Sequence, residues 1–386
     1  MTDRRSLSRR ELLRGGLAAT GASLLNSSVF GFVLPPVETG ETSVPFLDPQ
    51  PVNPDRPMVQ WDQLQHWITP ESDFFSVKHY GVPEVDMAKW RLGIGGFVNQ
   101  PLSLTLEDLK ARPKSHYTAT LECSGNGASE RFMGAIGNAR WSGTRLGPVL
   151  EECGLSPEAT EVVFFGADRG KEEIRGNEYE QNFGRSLSVK EALRDRVLLA
   201  YEMNGKPLSQ THGAPLRLVV PGWYGVAWVK WLWRVEVHDR QFLSRFMGRD
   251  YVTIRGEERD GETIWRETSV GRMNLKSIVA RVTRMDGGSV RVMGAVWNDG
   301  TPLKAVELKL DDGAWVETEL GEGKDHPHCW TFWTHVWNDP APGEHTLVSR
   351  AVDARGRVQP APEDDLIRLK KTYWEANQQI RRRIRL

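Results

Sequence analysis

The chain has 386 residues, with 50 Lys and Arg against 51 Asp and Glu and a formal net charge of −1. That length asks for two domains plus a targeting segment, and the even charge balance gives no basic excess of the kind a nucleic-acid partner needs. The three cysteines, Cys123, Cys153 and Cys329, exclude a disulfide framework, a paired zinc or iron–sulfur site and a Cys-x-x-Cys-His haem attachment.

Residues 1–34 read as an export signal. Arg4, Arg5, Arg9, Arg10 and Arg14 form a basic head, and a weakly apolar stretch rich in Gly, Ala and Ser follows. Ser8-Arg9-Arg10-Glu11-Leu12-Leu13 matches the twin-arginine pattern. The stretch is less apolar than the roughly 20 residues a membrane span requires. No clear Ala-x-Ala site marks where it would be cut. The expectation is folded export by the twin-arginine machinery to the periplasm, a route commonly used by proteins that take up a complex cofactor in the cytoplasm.

Residues 35–58 are Pro-rich and read as an extended linker or arm. Over 59–272 helices and strands mix without a βαβ rhythm, which predicts an α+β domain. Leu104–Leu109 reads as a strand edge turning into a helix, Thr118–Cys123 as a buried strand, Gly147–Cys153 as a helix closed by Gly154 and Val162–Phe165 as another buried strand. Leu216–Val220 and Val226–Val237 are β-rich. Over 273–386 the composition shifts to short strand candidates at Ser277–Val282, Ser289–Val296, Ala305–Leu310, Trp315–Glu319, Trp330–Val336 and His345–Asp353, separated by Gly-containing turns. This spacing predicts an all-β, immunoglobulin-like sandwich. The terminal Arg381-Arg382-Arg383-Ile384-Arg385 reads as a solvated basic tail.

Cys123 ends an apolar run and precedes Ser124-Gly125-Asn126-Gly127. A thiol so placed can be buried filler, a nucleophile or a metal ligand. A thiolate is a strong donor to a soft or highly charged metal, and glycine lets the backbone approach a bulky group. Further on, His212-Gly213-Ala214-Pro215-Leu216-Arg217 and Val229-Lys230-Trp231 supply a directional donor, a planar fork and a point charge. Together these segments resemble the sulfite oxidase family of molybdopterin enzymes, over nearly all of residues 60–375.

The resemblance implies a molybdenum–molybdopterin cofactor with the Cys123 thiolate on the metal. It implies cofactor contacts from His79, Ser124, Gly125, Asn126, Arg185, Ser186, His212, Arg217 and Lys230, and it matches Tyr201 to the family's active-site tyrosine. The activity implied is oxygen-atom transfer to sulfite or a related small sulfur compound, with electrons leaving singly to an external c-type cytochrome. The C-terminal domain is similar to the family's dimerisation domain, which implies a homodimer.

The substrate pocket departs from the family pattern. Positions that carry arginines in true sulfite oxidases fall here on Gly127, Ala128 and Val77. Two lost guanidinium forks weaken binding of a small dianion, each charge-assisted pair contributing about 1.5–3 kcal/mol. Lys78, Arg131, Arg140 and Asp325-His326-Pro327-His328 are alternative sources of charge. Sulfite is the default substrate, and a bulkier sulfur compound such as a protein-bound sulfane sulfur suits the less cationic pocket equally well. Alternatives are a sulfoxide reductase of the same fold, and a non-catalytic exported binding module in which Cys123 is merely buried.

Overall fold

Strands, most of them antiparallel, carry the chain in the computed structural model, which describes residues 41–50, 57–129 and 133–386. The export signal, much of the Pro-rich arm and Arg131 lie outside the described residues. Within them no helix is long and apolar enough to cross a membrane.

Two five-stranded sheets build residues 59–272. One runs Arg217–Val219, Leu198–Met203, Ile136–Arg145 and Lys114–Glu122, antiparallel throughout, with Lys206–Pro207 beside the second. The other runs Leu102–Leu104, Leu92–Gly96, Leu232–His238, Glu161–Ile174 and Asn177–Ser188, and only its Leu92–Gly96 and Leu232–His238 neighbours are parallel. Helices are few and short. Leu106–Lys110 starts at a capping box in which Thr105 and Asp108 satisfy each other's backbone donors. Leu146–Cys153 ends at Gly154, whose φ of 65° only glycine adopts without strain. This part is therefore mostly β, with less helix than the α+β expectation. The apolar runs are too closely spaced by Gly and polar turns to leave more than one or two helical turns between strands.

Residues 276–385 form two further sheets. Thr42–Ser43, Lys276–Arg284, Val290–Trp297, Thr331–Trp337 and Glu319–Leu320 make one, and Trp315–Glu317, Leu303–Leu310, Glu344–Asp353 and Arg381–Arg385 the other. Val279, Val282, Val292 and Val296 of the first sheet meet Val306, Leu308, Leu347 and Ala351 of the second in one apolar core. The opposite face of the first sheet, through Ile278, Ala280, Met293, Ala295 and Trp297, is buried against the core of residues 59–272. The strand Lys276–Arg284 is buried on both faces, and its first residues project toward the Cys123 turn.

The basic tail is not solvated. Arg381–Arg385 pairs with Glu344–Val348, Ile384 is fully buried, and Phe46 bridges to it. Arg382 lies 3.8 Å over the Phe46 ring. Alternation explains the difference: Ile380, Arg382 and Ile384 turn inward while Arg381, Arg383 and Arg385 face water.

Candidate active site

The strand Lys114–Glu122 delivers Cys123 to a tight turn. The Cys123 N–H donates to the Ala135 carbonyl at 2.9 Å, and its own carbonyl accepts from Asn126 N–H at 2.9 Å. Asn126 is fully buried; its Nδ2 donates to Glu122 and its Oδ1 accepts from Ala135 N–H. Burial pushes the Cys123 thiol up, and the nearby backbone N–H groups of Gly125 and Asn126 oppose that. Such donors favour a thiolate once a cation balances it. At Gly125 a Cβ would come within 3.3 Å of the Tyr373 ring, so a side chain there would require that ring to shift by a few tenths of an ångström.

Cys123 lies in a small cleft of about 60 Å³ with Val77, His79, Asp168, Lys230 and Tyr251. Phe75, Phe183, Trp228 and Trp231 wall it. Phe75 and Val77 also border an adjoining space of about 760 Å³ that holds Ser76, Lys78, Ser209, Thr211 and His212. Lys230 Nζ lies 4.3 Å over the Trp231 ring and donates to Ser76 Oγ at 3.0 Å and the Val77 carbonyl at 2.9 Å. Burial, then Arg217, brings its pKa down to about 7, while Asp168 opposes. Burial raises the Asp168 carboxyl to about 6 against the pull of Lys230. His79 Nε2 and Tyr251 Oη are 2.6 Å apart. Burial first, then Lys230 and Arg245, lowers His79 to about 4, so it is neutral near pH 7 and can accept from the tyrosine. Burial, and then the Cys123 charge, holds the Tyr251 hydroxyl well above the usual phenol range.

Of the residues singled out from the sequence, Cys123, Ser124, His79 and Lys230 meet in the cleft and His212 lines the adjoining space. Arg217 sits one layer behind, donating to the His212 carbonyl at 3.3 Å and stacked 5.0 Å from Trp141. Arg185 and Ser186 line neither space. The Arg185 guanidinium is buried and used on the Phe246 and Val270 carbonyls and Ser269 Oγ, and the Ser186 hydroxyl faces Met247 sulfur. Tyr201 is likewise elsewhere: it is buried on the strand Leu198–Met203, with Lys114 Nζ over its ring at 5.9 Å. Tyr251, not Tyr201, is the tyrosine that lines the cleft beside Cys123.

Of the alternative charges, Lys78 borders the larger space. Arg140 instead lies on the strand Ile136–Arg145, and His328 is tied to Tyr117 Oη at 2.7 Å, away from the cleft. Tyr251 and Asp168 were not singled out from the sequence. The one available signal was the lone carboxylate ending the apolar run Val162-Val163-Phe164-Phe165-Gly166-Ala167, where the strand register shifts between Phe165 and Arg169. Tyr251 carried none.

A family model described as an oxidoreductase molybdopterin binding domain matches residues 79–246. Mitochondrial sulfite oxidase of Rattus norvegicus is 35% identical over 323 residues, which are 77% of this chain and 58% of that protein. The chain thus spans about three-fifths of that relative. Sulfite oxidase of Gallus gallus is 33% identical over 80% of this chain and 72% of its own length; that of Arabidopsis thaliana is 31% identical over 81% and 88%. Among solved structures, the sulfane dehydrogenase SoxCD from Paracoccus pantotrophus superimposes with a TM-score of 0.69 at 27% identity, covering 94% of this chain and 92% of that one.

The side chains present fit a molybdopterin. Ser124 Oγ, Ser209 Oγ and His212 Nδ1 are buried polar atoms without a protein partner along the cleft and its neighbouring space. Each such atom calls for a hydrogen bond from a bound group. Lys230 in the cleft and Lys78 in the adjoining space bring positive charge to the two, suited to a phosphate. Among the described residues no three His, Cys, Asp or Glu side chains gather as a metal site. Identity of this extent over most of a relative's length, with a shared domain model and a shared fold, decides the lineage: the chain belongs to the sulfite oxidase family of molybdopterin oxidoreductases.

Proposed function

We propose that this protein is an exported molybdopterin-dependent oxidoreductase that oxidises a sulfur compound, with the Cys123 thiolate as the protein's ligand to molybdenum. The observation that carries the reading is the placement of Cys123, at the head of a tight glycine-containing turn, in a cleft shared with His79, Lys230 and Tyr251. Export by the twin-arginine route to the periplasm, an external c-type cytochrome as acceptor, and a homodimer formed through an immunoglobulin-like C-terminal sandwich belong to the same proposal.

Bound in this cleft, the cofactor supplies oxygen-atom transfer and storage of the two electrons released. The protein's residues do the rest. Phe75, Phe183, Trp228 and Trp231 exclude bulk water, which strengthens every charge interaction inside. Tyr251 keeps its proton and is held beside Cys123 by its hydrogen bond with neutral His79, in which the imidazole tautomer sets the donor. Lys230 takes up anionic charge, and an anion at its Nζ keeps the ammonium protonated against the effect of burial.

Val77 is 43% exposed, and Ala128 is exposed as well; neither offers a charge. That supports a sulfur substrate larger and less dependent on guanidinium forks than free sulfite, as does similarity to a protein described as a sulfane dehydrogenase. The test is the molybdenum and pterin content of protein from a host that makes the cofactor, followed by turnover of sulfite and of a sulfane-bearing thiol with cytochrome c. Near-stoichiometric metal in the wild type, and its loss with turnover in a folded Cys123→Ser variant, supports the proposal. Full metal content and normal rates in Cys123→Ser would overturn the ligand assignment.

A further inference from the structure

The turn that presents Cys123 is held from outside its own domain. Glu122, the residue before the cysteine, is fully buried, and so is Lys276, the first residue of the strand Lys276–Arg284 in the C-terminal sandwich. Lys276 Nζ donates to Glu122 Oε1 at 2.6 Å and to the Asn126 carbonyl at 3.0 Å. Trp297, the cross-strand partner of Lys276, donates through Nε1 to Glu122 Oε2 at 2.8 Å. Asn126 Nδ2 closes the ring on Glu122 Oε1 at 3.0 Å. Neighbouring residues of one strand pair therefore grip both oxygens of the carboxylate and one carbonyl of the turn.

A fully buried ion pair is a poor device for stability alone. Stripping water from both charges costs about what their attraction returns, and uncharged replacements of similar volume are often as stable or more so. What such a pair supplies is geometry: both charges must be where the other is. Here it spans the boundary between the sandwich and the catalytic domain, and its two ends bracket the cysteine, at Glu122 on one side and Asn126 on the other.

We infer that Lys276, acting through Glu122, is a positioning residue for Cys123, so that the sandwich domain takes part in setting the geometry of the metal's thiolate ligand. The inference rests on the reading of Cys123 as that ligand. It goes beyond it in assigning a role at the active site to a domain that contributes no residue to the cleft walls.

Two variants separate positioning from stability. Lys276→Met leaves the Glu122 carboxylate buried and unpaired, and lowers both the melting temperature and the order of the turn. Glu122→Gln combined with Lys276→Met removes the unpaired charge, so the melting temperature recovers while the tie to the Asn126 carbonyl stays cut. In that double variant amide exchange across 123–128 remains faster than in the wild type, measured on cofactor-free protein. In the loaded protein the thiolate-to-molybdenum absorption band is shifted, and metal retention falls on the order of tenfold, as for the loss of other outer partners of a metal ligand. Leu308→Ala, in the sandwich core away from the turn, serves as a control that lowers stability without touching Lys276 or Glu122. Wild-type exchange and an unshifted band in the double variant overturn the inference, as does the same change in Leu308→Ala. A wild-type protein without molybdenum would overturn the ligand reading instead, and the exchange measurement on cofactor-free protein tells that failure apart. If Lys276→Met does not fold, the double variant alone decides.

Discussion

Tyr201 follows the apolar run Leu198-Leu199-Ala200 and Tyr251 follows Gly248-Arg249-Asp250, and it is their surroundings that decide which of them reaches the cleft. Tyr201 is buried on the strand Leu198–Met203, outside the cleft, with Lys114 over its ring. Tyr251 is brought to Cys123 because the helix Arg245–Gly248 sets Phe246 edge-on against His79 at 4.8 Å, and because its own ring stacks on Trp374 at 4.4 Å. Those contacts join residues far apart in the chain, so no local pattern marks the second tyrosine. Tyr251→Phe should lower kcat/KM ten- to a hundredfold, the effect of losing one hydrogen bond of about 1.5–3 kcal/mol beside a charged centre. Tyr201→Phe should leave kcat/KM within twofold of wild type, roughly the size of most changes away from a site. Steady-state kinetics on both variants checks the pair. An equal loss in Tyr201→Phe would return the role to the residue the sequence pointed to.

Strands and turns were legible where one physical signal dominated. The run before Cys123, the helix closed by Gly154 and the six strand segments of the sandwich all appear close to where alternation and Gly-containing turns placed them. Short motifs singled out Cys123, His79, Ser124, Lys230 and His212, which line the cleft and its neighbouring space, whereas Arg185, Ser186 and Tyr201, singled out in the same way, line neither, because a motif says nothing about which way a strand faces. The terminal strand was illegible for another reason. Four arginines in five residues outweigh one isoleucine in composition, yet the sheet needs only every second residue to be apolar or capped. Arg382 meets that need by lying over Phe46 with its head toward Asp48. Ile384→Ala removes a fully buried side chain from the sandwich core and should cost about 2–5 kcal/mol. Arg383→Ala, which faces water, should cost no more than about 0.5 kcal/mol. Denaturant unfolding of the two variants decides between an edge strand and a solvated tail.

At the scale of the whole molecule, buried histidines make stability depend on acid in a direction that follows from their partners. Burial first, then nearby cations, lowers His79, His212 and His328 each to about 4 from 6.5. Between those values the unfolded chain holds protons that the folded chain refuses, so stability falls as pH falls from about 6.5 toward 4. Asp168 works against this, because its carboxyl, raised to about 6, holds a proton in the folded state that the unfolded chain has lost above 3.8. Three histidines outweigh one carboxyl, so the net slope keeps the histidine sign. Above pH 7 the sign is the same for a different reason. The Lys230 ammonium is lowered to about 7, so the unfolded chain again holds the extra proton and stability of the cofactor-free protein rises above pH 7. Near pH 9 the Cys123, Cys153 and Cys329 thiols, kept protonated by burial, oppose the rise. His328 is the cleanest probe, since it bonds Tyr117 and lies outside the cleft. His328→Phe should flatten the acid limb by up to one proton, about 1.4 kcal/mol per pH unit, while the limb above pH 7 is unchanged. Melting temperatures from pH 4.5 to 9 read both limbs. An acid limb as steep as wild type in His328→Phe would mean that this imidazole takes up its proton in the folded protein as readily as in the unfolded chain.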